Sequence, residues 1–217
     1  MGKLQTMRRI REVGVIPVLR ARRQEDAIAV AYAIREGGVP VLEITMTVPG
    51  AIEVIRELTA TFGEHVLIGA GTVLDAETAR ACILAGAEFI VAPALKVSTI
   101  QMCHRYAVPI FPGALTPTEV LTAWEAGADA VKVFPCGAVG GAQYLKSLKA
   151  PLPQIELIPT GGVSLSTAAE FLAAGAFALG VGADLIAGDI SGAEKLRGVT
   201  ENARKYVEVL TKHRGRS

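Results

Sequence analysis

Apolar positions along the chain fall into two rhythms. Short apolar runs recur at about 14–19, 39–44, 66–70, 88–92, 108–111, 129–134, 155–158 and 177–181, and the segments between them carry apolar residues at three- and four-residue spacing. The first rhythm predicts buried strands and the second predicts amphipathic helices. Four helical segments end on a glycine followed by a small residue and then a strand: Glu36-Gly37-Gly38-Val39, Ala85-Gly86-Ala87-Glu88, Ala126-Gly127-Ala128-Asp129 and Ala174-Gly175-Ala176-Phe177. Glycine supplies the left-handed residue that ends a helix. Each interval between these glycines is long enough for two strand–helix units. Start signals agree: Asp75 before Glu77, Thr116 before Pro117, and Ser164 ahead of another helix.

Eight such units with no linker between them predict an α/β chain folded as one (β/α)₈ TIM barrel, the alternative being an open doubly wound sheet. The expected organisation is a single domain over 1–217. It comprises a lead-in helix over 1–13, the barrel over 14–188, a C-terminal helix over 189–212 and a tail over 213–217. The lead-in helix is read from Leu4, Met7 and Ile10, at helical spacing among Lys3, Arg8, Arg9 and Arg11. No targeting segment is expected there, because no apolar stretch of adequate length follows.

Composition narrows the function classes. The chain has 22 basic and 21 acidic residues and a net charge of +1, which gives no electrostatic case for nucleic acid or an anionic membrane. No run approaches the ~18 apolar residues of a membrane span. Cys82, Cys103 and Cys136, like His65, His104 and His213, are scattered. Neither a disulfide framework nor a metal site is expected, and the cytoplasm is the expected compartment.

In a barrel, chemistry belongs at the C-terminal ends of the strands. Those ends carry Arg20, Glu43, Gly69-Ala70-Gly71-Thr72, Pro93, Lys132, Pro159-Thr160-Gly161-Gly162 and Gly180-Val181-Gly182. Lys132 interrupts the apolar run Ala130-Val131-Lys132-Val133-Phe134 and shares a face with Ala130 and Phe134. Burial disfavours the charge on an amine and makes it a nucleophile; the bland alternative is a lysine that snorkels out to water. Glu43 interrupts its own strand in the same way. A carboxyl beside an amine is what imine chemistry requires of its acid/base, and a structural ion pair is the alternative. The two last glycine-rich ends fit a phosphate site built of backbone N–H groups, or else simply close tight turns. Gly69-Ala70-Gly71-Thr72 fits a close approach to a ligand, with the Thr72 hydroxyl as donor. Cys136 fits as a small filler, and Trp124 as core.

Ile16-Pro17-Val18-Leu19-Arg20, Leu42-Glu43-Ile44-Thr45, Gly69-Ala70-Gly71-Thr72-Val73, Phe89-Ile90-Val91-Ala92-Pro93, Pro112-Gly113-Ala114-Leu115-Thr116-Pro117, Val131-Lys132-Val133-Phe134-Pro135 and Pro159-Thr160-Gly161-Gly162-Val163 closely resemble the 2-keto-3-deoxy-6-phosphogluconate / 4-hydroxy-2-oxoglutarate (KDPG/KHG) aldolases, in order, over about residues 8–190. The resemblance implies a (β/α)₈ barrel, a homotrimer, and a class I aldolase that needs no metal or other cofactor. Its substrate would be a small keto acid phosphate, cleaved to pyruvate and glyceraldehyde 3-phosphate. It implies Lys132 as the Schiff-base residue and Glu43 as general acid/base. Thr72, Thr160 and Pro93 would meet the pyruvate portion, and Gly161, Gly162 and Gly182 would give backbone donors to the phosphate. Many members carry an arginine where this chain has Thr47, and Arg20 is the expected substitute for gripping the carboxylate. Some carry a serine where this chain has Ala183. Specificity for the phosphogalactonate epimer, a phosphate-binding barrel isomerase or epimerase, and a non-catalytic sugar-phosphate-binding protein are the rival readings.

Overall fold

The strands expected from the apolar runs are present in the computed structural model, which describes residues 2–186 and 192–215. Helix α1 (Lys3–Val13) leads into β1 (Val15–Leu19) and α2 (Gln24–Glu36), then β2 (Val41–Thr45) and α3 (Ala51–Phe62). Next come β3 (Leu67–Gly71) and α4 (Ala76–Leu84), then β4 (Ile90–Val91) and α5 (Val97–Arg105). The second half holds β5 (Ile110–Phe111), β6 (Gly113–Ala114), α6 (Pro117–Glu125), β7 (Val131–Val133), α7 (Gly141–Lys149), β8 (Leu157–Pro159), α8 (Ala168–Ala173), β9 (Leu179–Val181) and the long α9 (Ala193–Arg214). The expected boundary between barrel and final helix, at 188 and 189, lies outside the described residues, as do the last two residues of the expected tail at 213–217; α9 runs on to Arg214, two residues into that tail.

All strand pairs are parallel. They form a curled six-stranded sheet in the order β5-β4-β3-β2-β1-β9 and a three-stranded one in the order β6-β7-β8. The eight strands expected from the sequence are therefore nine ladder segments in two sheets. Pro112 falls between β5 and β6, and proline has no N–H to give a ladder. Its carbonyl still accepts the Lys132 N–H at 2.9 Å. Between the two sheets run a parallel bridge from Thr160 to Gly180 and a bond from the Asp129 N–H to the Ile110 carbonyl at 3.2 Å.

Alternation along the strands sorts the interior into two cores. One lies between strands and helices. The other lies inside the curl and contains Ile16, Val41, Leu67, Phe89, Val91, Phe111, Ala130, Ile158 and Ala178. Ile10 of α1 is fully buried in this inner cluster, so the lead-in helix plugs the end where the strands begin. Leu4 remains exposed, and the apolar stripe of α1 is narrower than the sequence suggests.

Helix starts follow their caps. The Asp75 carboxylate accepts the Thr78 N–H at 2.6 Å, and Thr116 with Glu119 forms a capping box ahead of Pro117. Ser164 does not start a helix: α8 begins four residues later, after a turn in which the Ser164 carbonyl accepts from the Thr167 and Ala168 N–H groups.

Candidate active site

On three strands the inner face carries an apolar residue first and a polar or charged one next. On β2 the series is Val41, Glu43, Thr45; around β7 it is Ala130, Lys132, Phe134; around β8 it is Ile158, Thr160. Period-two alternation points all of them into the curl. Glu43 and Lys132 thus sit directly above the apolar plug, 2% and 5% exposed.

Lys132 Nζ lies 4.0 Å from Glu43 Oε1, and 5.4 Å from the centre of the Phe134 ring. The first distance is an ion-pair contact and too long for a hydrogen bond. Glu43 Oε1 is buried with no hydrogen-bond partner. Burial raises the Glu43 carboxyl above its ordinary range, while the charges of Lys132 and, more weakly, Arg20 pull it back. A carboxyl raised in this way holds its proton more readily than an exposed one, and its Oε1 is left free to accept a hydrogen bond.

Gly71 makes room for this carboxylate. A Cβ there would lie 1.8 Å from Glu43 Oε1, and one at Gly69 would lie 2.3 Å from the Phe89 ring. The close approach expected at Gly69-Ala70-Gly71 is thus to the protein's own side chains. Thr72, next in line, adopts a left-handed backbone with φ of 58°, a costly conformation for a β-branched residue and one that clusters at functional sites.

Strand ends β7, β8 and β9 are stitched together. The Cys136 and Gly137 N–H groups donate to the Thr160 and Gly161 carbonyls at 2.9 and 2.8 Å. Gly161 and Gly162 both have positive φ, near 80°. Gly137 and Gly162 lie face to face, with room for no Cβ on either. Gly180 leaves space for the Thr160 hydroxyl, since a Cβ there would lie 2.1 Å from it. Above these loops opens a cavity of about 640 Å³, lined among others by Arg20, Phe134, Thr160, Gly161, Gly162 and Gly182.

Five expected residues therefore meet at one cavity: Arg20, Thr160, Gly161, Gly162 and Gly182. Glu43 and Lys132 form the buried pair, with Lys132 two positions below Phe134. Thr72 and Pro93 do not line that cavity; they end β3 and begin the loop after β4, where the Pro93 carbonyl packs against Gly113. Arg20 is exposed, and its charge is felt at Glu43. Thr47 contacts the Thr45 hydroxyl at 2.6 Å, and Thr45 in turn donates to the Leu19 carbonyl at 3.0 Å. Residues that sequence reasoning gave no part in the site are Val18, Phe134 and Asp184 of the cavity wall, and Gly137 behind it. Val18 and Phe134 could have been found from alternation, being inward neighbours of Arg20 and Lys132.

Cys136 is buried, donates to the Gly141 carbonyl at 3.5 Å, and burial pushes its thiol up to about 11. It is a filler, as expected. Trp124 is partly buried against the outer core. No group of three or more His, Cys, Asp or Glu among the described residues is placed to hold a metal ion, and no helix is long and apolar enough to cross a membrane.

The family model for KDPG and KHG aldolases matches residues 6–201. A 2-dehydro-3-deoxy-phosphogluconate aldolase of Treponema pallidum is 37% identical over 76% of this chain and 78% of its own length. A 2-dehydro-3-deoxy-6-phosphogalactonate aldolase of Escherichia coli is 37% identical over 79% of this chain and 83% of its own. Among solved structures, the KDPG aldolase of Legionella pneumophila, with pyruvate captured as a covalent carbinolamine, superposes with a TM-score of 0.80 at 29% identity, covering 96% of this chain and 97% of that one.

Proposed function

The chain belongs to the KDPG and KHG aldolase family and is a pyruvate-dependent class I aldolase; from that premise we propose how its own residues cleave 2-dehydro-3-deoxy-6-phosphogluconate to pyruvate and glyceraldehyde 3-phosphate. The same step applied to 4-hydroxy-2-oxoglutarate gives pyruvate and glyoxylate. The observation that carries this reading is the buried Lys132 amine 4.0 Å from a Glu43 carboxylate whose Oε1 has no hydrogen-bond partner.

Glu43 takes a proton from Lys132, and the neutral amine adds to the C2 carbonyl of the keto acid, whose oxygen becomes a hydroxyl. Loss of that hydroxyl as water leaves a protonated imine. The Glu43 carboxylate then takes the proton of the C4 hydroxyl, and the C3–C4 electron pair moves toward the positive nitrogen. The aldehyde leaves and an enamine remains. Protonation at C3 and hydrolysis release pyruvate and restore Lys132. The imine is the electron sink, so the proposed step calls for no metal or other cofactor. Thr72, Thr160 and Pro93 hold the pyruvyl half. Arg20 grips the carboxylate in place of an arginine at Thr47, and Gly161, Gly162 and Gly182 offer backbone N–H groups to the phosphate. Ala183 adds no hydroxyl there.

The whole chain is read as one domain and its strands as one closed eight-stranded barrel. Support comes from the Pro112 interruption, which splits a single strand, and from the two backbone links between the sheets. A cytoplasmic homotrimer is the proposed state, with no nucleic-acid or membrane partner. Exposed Leu74, Leu84 and Val97, around the paired helices α4 and α5, suit an assembly face.

Incubation with pyruvate and borohydride tests the central step. The expected product is a stable adduct on the peptide containing Lys132, absent from Lys132→Arg, whose guanidinium keeps its proton. An isomerase or a non-catalytic binder would give no adduct, and an adduct on another lysine would equally overturn the assignment.

A further inference from the structure

Two glycine loops from separate parts of the chain meet at one carboxylate. Asp184 lies just past Gly182 and Ala183 in the loop after β9, and its Oδ2 accepts the Leu165 N–H at 3.1 Å and the Tyr206 hydroxyl at 2.6 Å. Leu165 closes the Gly161–Ser164 loop after β8, and Tyr206 is a fully buried residue of α9. The Asn202 side chain of the same helix donates to the Asp184 carbonyl at 3.4 Å. One residue therefore ties the β8 loop, the β9 loop and the final helix together.

The arrangement also decides which backbone donors are left over. The Ser164 N–H is given to the Thr167 hydroxyl and the Leu165 N–H to Asp184. The N–H groups of Gly162 and Ala183 have no partner among the described residues. The Gly182 carbonyl is occupied in its own turn, accepting from Leu185 and Ile186 at 3.1 Å each. A carboxylate repels a phosphate, so the value of Asp184 beside an anion site lies in what it holds in place. Burial first, then the bond and charge of Asp184, raise the Tyr206 phenol well above its usual range. It remains a donor to Asp184 wherever the protein works.

We infer that Asp184, locked by Tyr206, is a positioning residue that fixes the spacing of the two glycine loops and so aims the Gly162 and Ala183 N–H groups at the substrate's phosphate. The inference rests on the phosphate role proposed for these loops and goes beyond it by naming what sets their geometry.

Tyr206→Phe keeps the ring in its seat and removes only the hydroxyl. Two measurements read the result: inhibition of cleavage by inorganic phosphate, and the pyruvate concentration that half-saturates borohydride trapping. The phosphate Ki and the KM for the phosphorylated keto acid should each rise roughly tenfold, near the worth of one charge-assisted hydrogen bond. The ratio of phosphate to pyruvate affinity should fall by the same factor, with kcat nearly constant. Asn202→Ala, which removes the bond from α9 to the Asp184 carbonyl and leaves the carboxylate charge in place, should shift the ratio in the same direction and serves if Tyr206→Phe does not fold. An unchanged ratio in both variants, or a parallel loss of pyruvate and phosphate affinity, would overturn the clasp. Ala183→Glu examines the underlying reading separately, by placing a negative charge on the loop. If phosphate inhibits that variant as well as it inhibits the native protein, the glycine loops are not the phosphate site.

Discussion

Glu43 places an acid where acids tend to keep their protons, and its behaviour follows from that single fact. Its folded carboxyl is raised by burial, so between the ordinary carboxylic range and the raised value the folded chain holds one proton more than the unfolded chain. Stability from this group is full at low pH and is lost as pH rises through the folded value. Glu43→Gln removes the titration. The melting temperature of the variant, relative to the native protein, should therefore climb as pH rises above the ordinary carboxylic range; a constant difference would mean that the carboxyl is not raised. The same variant should lose roughly 10²–10⁴-fold in turnover, the usual worth of a positioned acid/base, and unchanged turnover would leave Glu43 as a structural partner of Lys132. Both residues are legible in the sequence because each is a lone charge in an apolar run. Their 4.0 Å approach is not legible, since it depends on side chains from strands nearly ninety residues apart.

At the scale of elements, β3 carries two glycines on one inward face with opposite expected roles. A methyl at Gly71 meets the far end of the flexible Glu43 side chain, whereas a methyl at Gly69 meets the Phe89 ring inside the apolar plug. Gly71→Ala should thus fold normally and displace the carboxylate from Lys132. A loss of about 10²-fold in turnover is expected, as for a misplacement of about 1 Å in a catalytic group. Gly69→Ala should instead overpack the core and cost about 1–3 kcal/mol in denaturant unfolding. Equal melting temperatures for the two variants would refute this division. The sequence shows both glycines as a tight spot without showing what presses on them, because alternation assigns a face and says nothing of the opposite wall. The same limit explains the fifth strand. Its apolar run is plain, but Pro112 breaks the ladder just beyond it, and pairing is a property of two strands. Caps are local, and so Asp75 and Thr116 are read directly from the chain. Ser164 resembles them in composition, yet the Asp184 carboxylate claims the Leu165 N–H and a turn forms in place of a helical start.

The whole molecule decides what Arg20 does, because the first strand lies between the second and the last. Val18 is level with Glu43 on β2, and Pro17 is level with Val181 on β9. Arg20 consequently rises between the end of β2, where Thr45 and Thr47 stand, and the glycine loop at Gly182. Its charge reaches Glu43, and its side chain lines the cavity with Gly161, Gly162 and Gly182. On the proposed reading it stands between the two anions of the substrate, the carboxylate beside the lysine and the phosphate at the loops. A guanidinium fork matches the carboxylate two-pronged, whereas the phosphate has backbone donors of its own. Arg20→Ala should therefore weaken pyruvate, which has a carboxylate and no phosphate, by roughly tenfold. This is less than for a buried charge, because the exposed guanidinium shares its work with water. Inhibition by inorganic phosphate should change far less, and adding Thr47→Arg should restore part of the pyruvate affinity from the neighbouring strand. The converse pattern, phosphate weakened and pyruvate intact, would move Arg20 to the phosphate loops and leave Thr72 and Thr160 to hold the carboxylate.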